Sequence, residues 1–184
     1  MPLDPFRNLI LTPDLLRLVG DIDEFKGAWR ALGSLAPDRL AEILANPSFG
    51  KVFTDHMVTA SWSAADGWRD ARLTAYGPIS IDPASVVLHY GQTVFEGLKA
   101  YRQPDGGVAL FRPERNAHRM ALSARRLALP ELPEDAFIEA CELLVRQDQD
   151  WVPSGEGASL YLRPFVWATE VGLGVRPSDT ALFQ

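Results

Sequence analysis

Two arginines stand out among the residues that could bind a small anion. Arg119 lies in the second turn of a helix predicted to begin after Pro113. Its planar guanidinium can hold a phosphate or a carboxylate through two parallel hydrogen bonds, and it does not lose its charge. The alternative is an ordinary solvated helix face, because Arg115 and Arg125 lie on the same helix. Spacing alone leaves both interpretations open.

Arg163 raises a separate question, because it lies inside the apolar segment from Leu160 to Trp167. An unpaired cation in a buried strand would cost several kcal/mol. We therefore expect Arg163 to pair with an acid, such as Glu96 or Glu170, with a cluster of carbonyls, or with a substrate carboxylate. Tyr161, two residues earlier, would point to the same side of a strand.

Other motifs are incomplete. The spacing of His56, His89 and His118 is not that of metal ligands, so we expect structural or surface roles and no metal site. Cys141 is the single cysteine, which excludes an internal disulfide; its place in an amphipathic helix indicates a buried, inert thiol. The segment Gly172–Gly174 lacks the third glycine and the acid of a dinucleotide-binding fingerprint, so a tight loop is expected.

Composition is that of a globular protein with 184 residues, 47% of them hydrophobic and 23% charged. This length suffices for one domain, or for one domain and part of a second. No apolar run is long enough for a transmembrane helix, and Met1 does not begin a signal peptide, so we expect a cytoplasmic protein. The net charge of -6 argues against nucleic acid as a partner.

The elements that must position these residues follow from periodicity and turn chemistry. Residues 13–32 form a predicted helix with a leucine and aromatic seam, and a second helix runs from Pro37 to about Ala45. Beyond a boundary near residues 45–48 the pattern changes to strands. We predict an α+β fold, mostly antiparallel sheet with packed helices. The predicted strands are hairpins at 58–75 and 98–111, a strand at 79–81 and a strand at 160–169 that Arg163-Pro164 interrupts. The predicted helices follow Asp82-Pro83 and lie at 114–127 and 134–149, and a loop is predicted at 171–177.

Several segments together resemble a known family, the branched-chain amino acid aminotransferases, over about residues 46–181. The resemblance is carried by Phe53-Thr54-Asp55-His56-Met57, Leu88-His89-Tyr90-Gly91, Val94-Phe95-Glu96-Gly97-Leu98-Lys99-Ala100-Tyr101-Arg102, Leu160-Tyr161-Leu162-Arg163-Pro164 and Ala168-Thr169-Glu170-Val171-Gly172-Leu173-Gly174-Val175-Arg176-Pro177. It implies the small amino-terminal domain of a fold-type IV enzyme at residues 46–176. Residues 1–45 would be a helical extension and residues 177–184 the start of the large domain.

The resemblance implies transamination of Leu, Ile or Val with 2-oxoglutarate, giving a branched 2-oxo acid and glutamate, with pyridoxal 5'-phosphate as cofactor. Arg119 resembles the arginine that clamps the cofactor phosphate. Tyr90, Phe95, Gly97, Tyr161 and Arg163 resemble residues of the substrate pocket. The loop with Leu173, Gly174 and Val175 resembles the segment that approaches the partner subunit's site in the family's homodimer.

The catalytic lysine of the family has no counterpart here. Its Schiff-base lysine lies in a Gly-Gly-Asn-Tyr context that this sequence does not contain, and Lys26, Lys51 and Lys99 do not match it. We therefore expect this chain by itself to be inactive and to correspond to an amino-terminal half. Two alternatives remain: a non-catalytic interaction module that uses the apolar helix 13–32, or another fold-type IV enzyme.

Overall fold

The structure is a computed structural model, and it describes residues 35–184. The predicted helix over residues 13–32 lies outside the described residues. In chain order the elements are α1 (Pro37–Ala45), β1 (His56–Ser63), β2 (Gly67–Ala75), α2 (Val86–Tyr90), β3 (Thr93–Phe95), β4 (Leu98–Arg102), β5 (Val108–Leu110), α3 (Pro113–Arg126), α4 (Glu134–Gln147), a 3-10 turn (Gln149–Trp151), β6 (Leu160–Leu162), β7 (Phe165–Ala168) and β8 (Thr180–Phe183).

The strands form two antiparallel sheets. A five-stranded sheet has the order β2-β1-β8-β7-β3, and a three-stranded sheet has the order β5-β4-β6. Helices α3 and α4 pack against each other, α3 also contacts β3, and α4 also contacts β1. The predicted α+β class with a mostly antiparallel sheet is confirmed.

Both predicted hairpins are present, and local chemistry closes each turn. In the first, Ser63 Oγ accepts the backbone N–H of Asp66 at 3.1 Å, and Gly67 adopts a φ of 75°. In the second, the backbone N–H of Gln103 donates to the carbonyl of Gly107 at 2.8 Å. Gly106 between them has a φ of 86°, a conformation that side chains with a Cβ rarely adopt.

The predicted strand 160–169 divides at its predicted interruption, Arg163-Pro164, into two strands that belong to different sheets. Strand β6 pairs with β4 in the three-stranded sheet, whereas β7 pairs with β3 and β8 in the five-stranded sheet. The chain crosses between the sheets at Arg163-Pro164, where proline cannot donate to a ladder. Another crossing lies between β3 and β4 at Glu96-Gly97, and the Glu96 N–H donates to the Pro164 carbonyl at 2.8 Å. We call these four residues the junction.

The helices bury one face each. In α3 the buried residues recur at helical spacing, and in α4 they include Phe137, which is 1% exposed and packs 6.3 Å from the ring of Phe183 in β8. The buried residues of α3 are Ala117, Met120, Ala121 and Ala124. This pattern confirms both predicted helices. The alanines on the buried face of α3 allow α4 to approach closely.

Two local predictions need correction. Residues 79–81 form no strand; Ile79 and Ile81 are each 40% exposed, so their β-branched side chains have no partner strand. Helix α2 begins at Val86 rather than directly after Pro83. Asp82 instead makes a turn, because its Oδ1 accepts the Ala84 N–H at 2.7 Å and its carbonyl accepts the Ser85 N–H at 2.9 Å.

The two ends of the described chain, strand β8 and helix α1, differ in how far they are packed. Strand β8, which the sequence places at the start of a second domain, pairs with β1 on one side and β7 on the other. Helix α1 forms as predicted but has no buried residue, and the chain before it is tied by the Leu35 N–H to Asp55 Oδ2 at 2.9 Å. Among residues 35–184, no helix is long and apolar enough to cross a membrane.

The reactivity of the Cys141 thiol is a test of how tightly α4 is packed. It is 3% exposed, and burial, with a smaller contribution from the charge of Glu142, raises the pKa of its thiol to about 12. At pH 8 only about one thiol in ten thousand would be ionised. We expect a thiol reagent to leave the native chain unlabelled at pH 8 and to label one site per chain in denaturant. Rapid labelling of the native chain would contradict this packing.

Candidate functional site

The junction brings together four of the residues predicted to line a site. Phe95 ends β3 and Gly97 precedes β4, while Tyr161 lies in β6 and Arg163 follows it. They meet because both chain segments cross between the sheets at one place, joined by the bond from Glu96 to Pro164. Phe95 is 61% exposed, so the cluster opens to the surface.

Gly97 is required by the ring of Tyr161. A Cβ at position 97 would lie 2.3 Å from Tyr161 Oη and 2.9 Å from Cζ, closer than real Cβ atoms approach. The other side of this cluster is formed by Phe49, whose ring meets that of Tyr161 edge-on with centroids 5.3 Å apart. The missing side chain therefore makes room for an aromatic wall.

Arg163 is exposed, and this corrects the expectation of a buried arginine with an acidic partner. Its guanidinium carbon lies 4.4 Å from the ring centroid of Phe95 and 5.3 Å from that of Tyr161, and its Nε donates to Tyr161 Oη at 3.1 Å. Pro164 follows the end of β6, so Arg163 lies in the crossing rather than in a buried strand. Stacking on aromatic faces supports a cation without neutralising it.

Glu96 binds Arg119 instead. Arg119 Nε donates to Glu96 Oε1 at 2.7 Å and Arg119 Nη2 donates to Oε2 at 2.6 Å, which is a bidentate pair. Asn116 Nδ2, one turn earlier on α3, donates to Oε2 at 2.8 Å. Glu170, the other acid considered for Arg163, pairs with Arg176. Both acids are therefore occupied by other arginines.

The pair is asymmetric in its exposure to solvent. The Glu96 side chain is 2% exposed, whereas that of Arg119 is 64% exposed. Burial raises the pKa of Glu96, but hydrogen bonds from Arg119 and Asn116, the charge of Arg119 and the Gly97 N–H outweigh it, so the pKa lies below its usual value. Glu96 in turn raises the pKa of Arg119. The buried carboxylate stays ionised and presents a charged arginine at the surface.

Sequence reasoning missed the partnership of Glu96, Asn116 and Arg119. A signal was available, because Glu96 is an acid within an apolar stretch and must find donors when that stretch is buried. The spacing of Asn116 and Arg119 also places both on one side of a helix. No pattern in the sequence states that this side faces Glu96.

Tyr90 and the 172–175 loop form a second group. Tyr90 Oη donates to the Leu173 carbonyl at 2.5 Å, and the Gly172 N–H donates to the Ala84 carbonyl at 2.9 Å. Gly174 is exposed, as are the side chains of Leu173 (64%) and Val175 (85%). The loop is thus anchored at its base, and its apolar tip is uncovered.

The histidines have structural partners, as expected. His56 Nδ1 bonds Asp148 Oδ1 at 2.5 Å in a buried pair, and Asp148 Oδ2 also accepts the His56 backbone N–H at 3.1 Å. His89 bonds the Pro83 carbonyl at 2.9 Å, and His118 bonds Glu134 at 2.9 Å. Within residues 35–184, no three His, Cys, Asp or Glu side chains converge as metal ligands would.

Gly97→Ala tests the contact between the glycine and Tyr161. The added methyl group must displace the ring, and overpacking of this kind costs about 1–3 kcal/mol of unfolding free energy. Gly77→Ala is the matched control, because its Cβ would meet no atom within 4 Å. Urea unfolding of both variants measures the difference. Equal midpoints for the two variants would contradict the close approach of Tyr161 to Gly97.

The chain is similar in sequence to curated branched-chain-amino-acid aminotransferases. It is 61% identical over 150 residues to a probable enzyme of this name from Streptomyces coelicolor, covering 81% of this chain and 41% of the relative. It is 59% identical over 146 residues to the enzyme from Mycolicibacterium smegmatis, covering 78% and 40%. The chain thus spans about two fifths of the length of these relatives. No protein-family model matches it.

Solved structures of the same kind share the fold. The T.th. branched-chain amino acid aminotransferase complexed with N-(5'-phosphopyridoxyl)-L-glutamate superposes with a TM-score of 0.50 at 26% identity, covering 67% of this chain and 39% of that one. The same enzyme with pyridoxamine 5'-phosphate gives a TM-score of 0.50 at 26% identity, covering 67% and 38%. In sequence and in fold the chain therefore corresponds to the amino-terminal part of branched-chain-amino-acid aminotransferases, of whose length it spans about two fifths.

Proposed function

We propose that this chain supplies the phosphate-binding arginine and one wall of the substrate pocket in a cytoplasmic branched-chain amino acid transaminase. The reaction converts Leu, Ile or Val and 2-oxoglutarate into a branched 2-oxo acid and glutamate. The observation that carries the proposal is the exposed guanidinium of Arg119, held by the buried Glu96 beside an aromatic cluster. The sequence identity to the named relatives supports the same reaction.

Pyridoxal 5'-phosphate fits the residues at this site through its phosphate. Arg119 offers a charged fork that is 64% exposed, which suits a dianion. When bound, this cofactor withdraws electrons from the amino acid so that a proton can leave Cα. The T.th. complexes with phosphopyridoxyl-glutamate and pyridoxamine 5'-phosphate support the choice of cofactor.

The junction offers two kinds of contact to a substrate. Phe95, Tyr161 and, in the second group, Tyr90 provide aromatic surface for the side chain of Leu, Ile or Val, and Gly97 makes room for the ring of Tyr161. Arg163 provides a cation for the second carboxylate of glutamate or 2-oxoglutarate. Because its charge is stacked on Phe95 rather than neutralised by an acid, it can alternate between a dicarboxylate and an apolar side chain.

The 172–175 loop suits a subunit contact in a homodimer of the whole protein. Leu173 and Val175 expose apolar side chains, while Tyr90 and Ala84 hold the base of the loop in place. A loop whose base is already held by hydrogen bonds loses less entropy on binding than an unanchored loop, which favours a role at an interface. We propose that Leu173, Gly174 and Val175 approach the substrate site of the partner subunit.

Catalysis requires a lysine that these residues do not supply. Lys99 lies in β4 opposite Tyr161, and Lys51 lies in the turn before β1; neither belongs to a motif that resembles the family's catalytic lysine. We expect the purified 184-residue chain to show no transamination of leucine with 2-oxoglutarate above the uncatalysed rate. Turnover at the rate of an intact aminotransferase would contradict this expectation.

The phosphate contact is tested with pyridoxamine 5'-phosphate, which cannot react with lysines, and with pyridoxamine, which lacks the phosphate. We expect the chain to bind the phosphorylated compound more tightly by about tenfold or more, because charged hydrogen bonds contribute about 1.5–3 kcal/mol. Arg119→Ala should abolish this preference, and Arg126→Ala, on an exposed position of the same helix, should keep it. Calorimetric titration measures both affinities.

The same titration separates the proposal from its alternatives. No binding of either compound would favour a non-catalytic interaction module, in which residues 13–32 contact a partner. A phosphate preference together with turnover of D-amino acids, rather than L-leucine, by the whole protein would favour another fold-type IV enzyme. A preference that survives Arg119→Ala would assign the phosphate contact to other residues.

A further inference from the structure

Glu96 differs from an ordinary structural acid in the exposure of its partner. It is a carboxylate with a 2% exposed side chain, and it receives donors from Arg119, Asn116 and the Gly97 N–H. A purely structural acid could pair with a buried arginine, yet its partner Arg119 is 64% exposed. The buried member of the pair therefore fixes the exposed member, and not the reverse.

The geometry determines which edge of Arg119 remains for a ligand. A guanidinium has two edges that can form parallel hydrogen bonds, one through Nε and Nη2 and the other through Nη1 and Nη2. Glu96 occupies the first edge. The hydrogen bonds that Arg119 makes to residues 35–184 use Nε and Nη2 alone, so the second edge is left for an anion.

We propose that Glu96 is a positioning residue that holds Arg119 with its Nη1–Nη2 edge directed to the cofactor phosphate. This inference rests on the proposed function, because it needs Arg119 to be the phosphate ligand. Asn116 contributes by bridging Glu96 Oε2 at 2.8 Å and the Gly97 carbonyl at 3.1 Å, so the carboxylate cannot turn away. A long side chain that is already ordered loses less rotamer entropy when a phosphate binds.

A simple electrostatic account predicts the opposite effect of removing the charge. Without the Glu96 carboxylate, Arg119 would lose a counter-charge, and a dianion nearby would lose a repulsive neighbour. Glu96→Gln should then bind phosphate more tightly. If positioning dominates, Glu96→Gln should bind it more weakly, because the long, flexible arginine is no longer held. The sign of the change therefore distinguishes the two accounts.

The test measures the affinity ratio of pyridoxamine 5'-phosphate to pyridoxamine for the 184-residue chain. A loss of stability would affect both compounds, so the ratio isolates the phosphate contact. We expect Glu96→Gln to lower the ratio by about tenfold. The matched control is Glu131→Gln, because Glu131 also binds an arginine of α3, Arg125, through two bonds at 2.8 and 2.7 Å, but in an exposed pair. It should leave the ratio unchanged.

A milder variant keeps the test decisive if Glu96→Gln does not fold. Asn116→Ala leaves both charges of the pair in place and should lower the ratio by a smaller factor. A ratio that is unchanged or higher in the folded variants overturns the positioning role. If Arg119→Ala lowers the ratio while these variants do not, the proposed function stands without this inference. If the wild-type chain shows no phosphate preference, the proposed function fails and the positioning role fails with it.

Discussion

The organisation of this protein depends on a constraint at the junction, where two chain segments pass between the same two sheets. Each sheet must complete its own ladder, so the residues at the crossings are released from regular pairing. One backbone bond, from the Glu96 N–H to the Pro164 carbonyl, joins the crossings. The side chains of Phe95, Tyr161 and Arg163 meet there because four strand ends converge, and no single helix or strand could have brought them together.

At the junction the buried carboxylate of Glu96 carries an electrostatic cost, and Asn116 and Arg119 of the neighbouring helix α3 compensate it. Exposed pairs such as Arg125 with Glu131 contribute little to stability, since water competes for both partners. Removing one partner of a buried pair costs about 3–5 kcal/mol, because the other charge is left without compensation. Glu96 is buried like the members of such a pair, whereas Arg119 is exposed to solvent. The pair thus couples the orientation of α3 to the crossing, and its exposed end remains available for chemistry.

The local elements are predictable from the sequence, because turn residues and helical periodicity act over a few positions. The hairpins and the helices α3 and α4 follow from such signals. The apolar run around Arg163 predicts one strand interrupted at Arg163-Pro164, and such a run does not reveal that its halves pair with different sheets. For the same reason the sequence suggests Glu96 as a partner of Arg163 and not of Arg119. The sheet to which each strand belongs and the partner of Glu96 are both determined by pairing between distant residues. Such pairing leaves no periodic signal in one sequence.

Strand β8 has a consequence for how the chain reaches this fold. It occupies the middle of the five-stranded sheet, between β1 and β7, although it follows all other described strands in sequence. During synthesis, strand β1 of the first hairpin would therefore have one edge unpaired until roughly a hundred further residues had been made. The edge of β7 that pairs with β8 would also remain unpaired until β8 was made. Such long-range closure slows folding, and open edges invite pairing with other chains. The nascent protein is most exposed to misassembly before Thr180–Phe183 has left the ribosome.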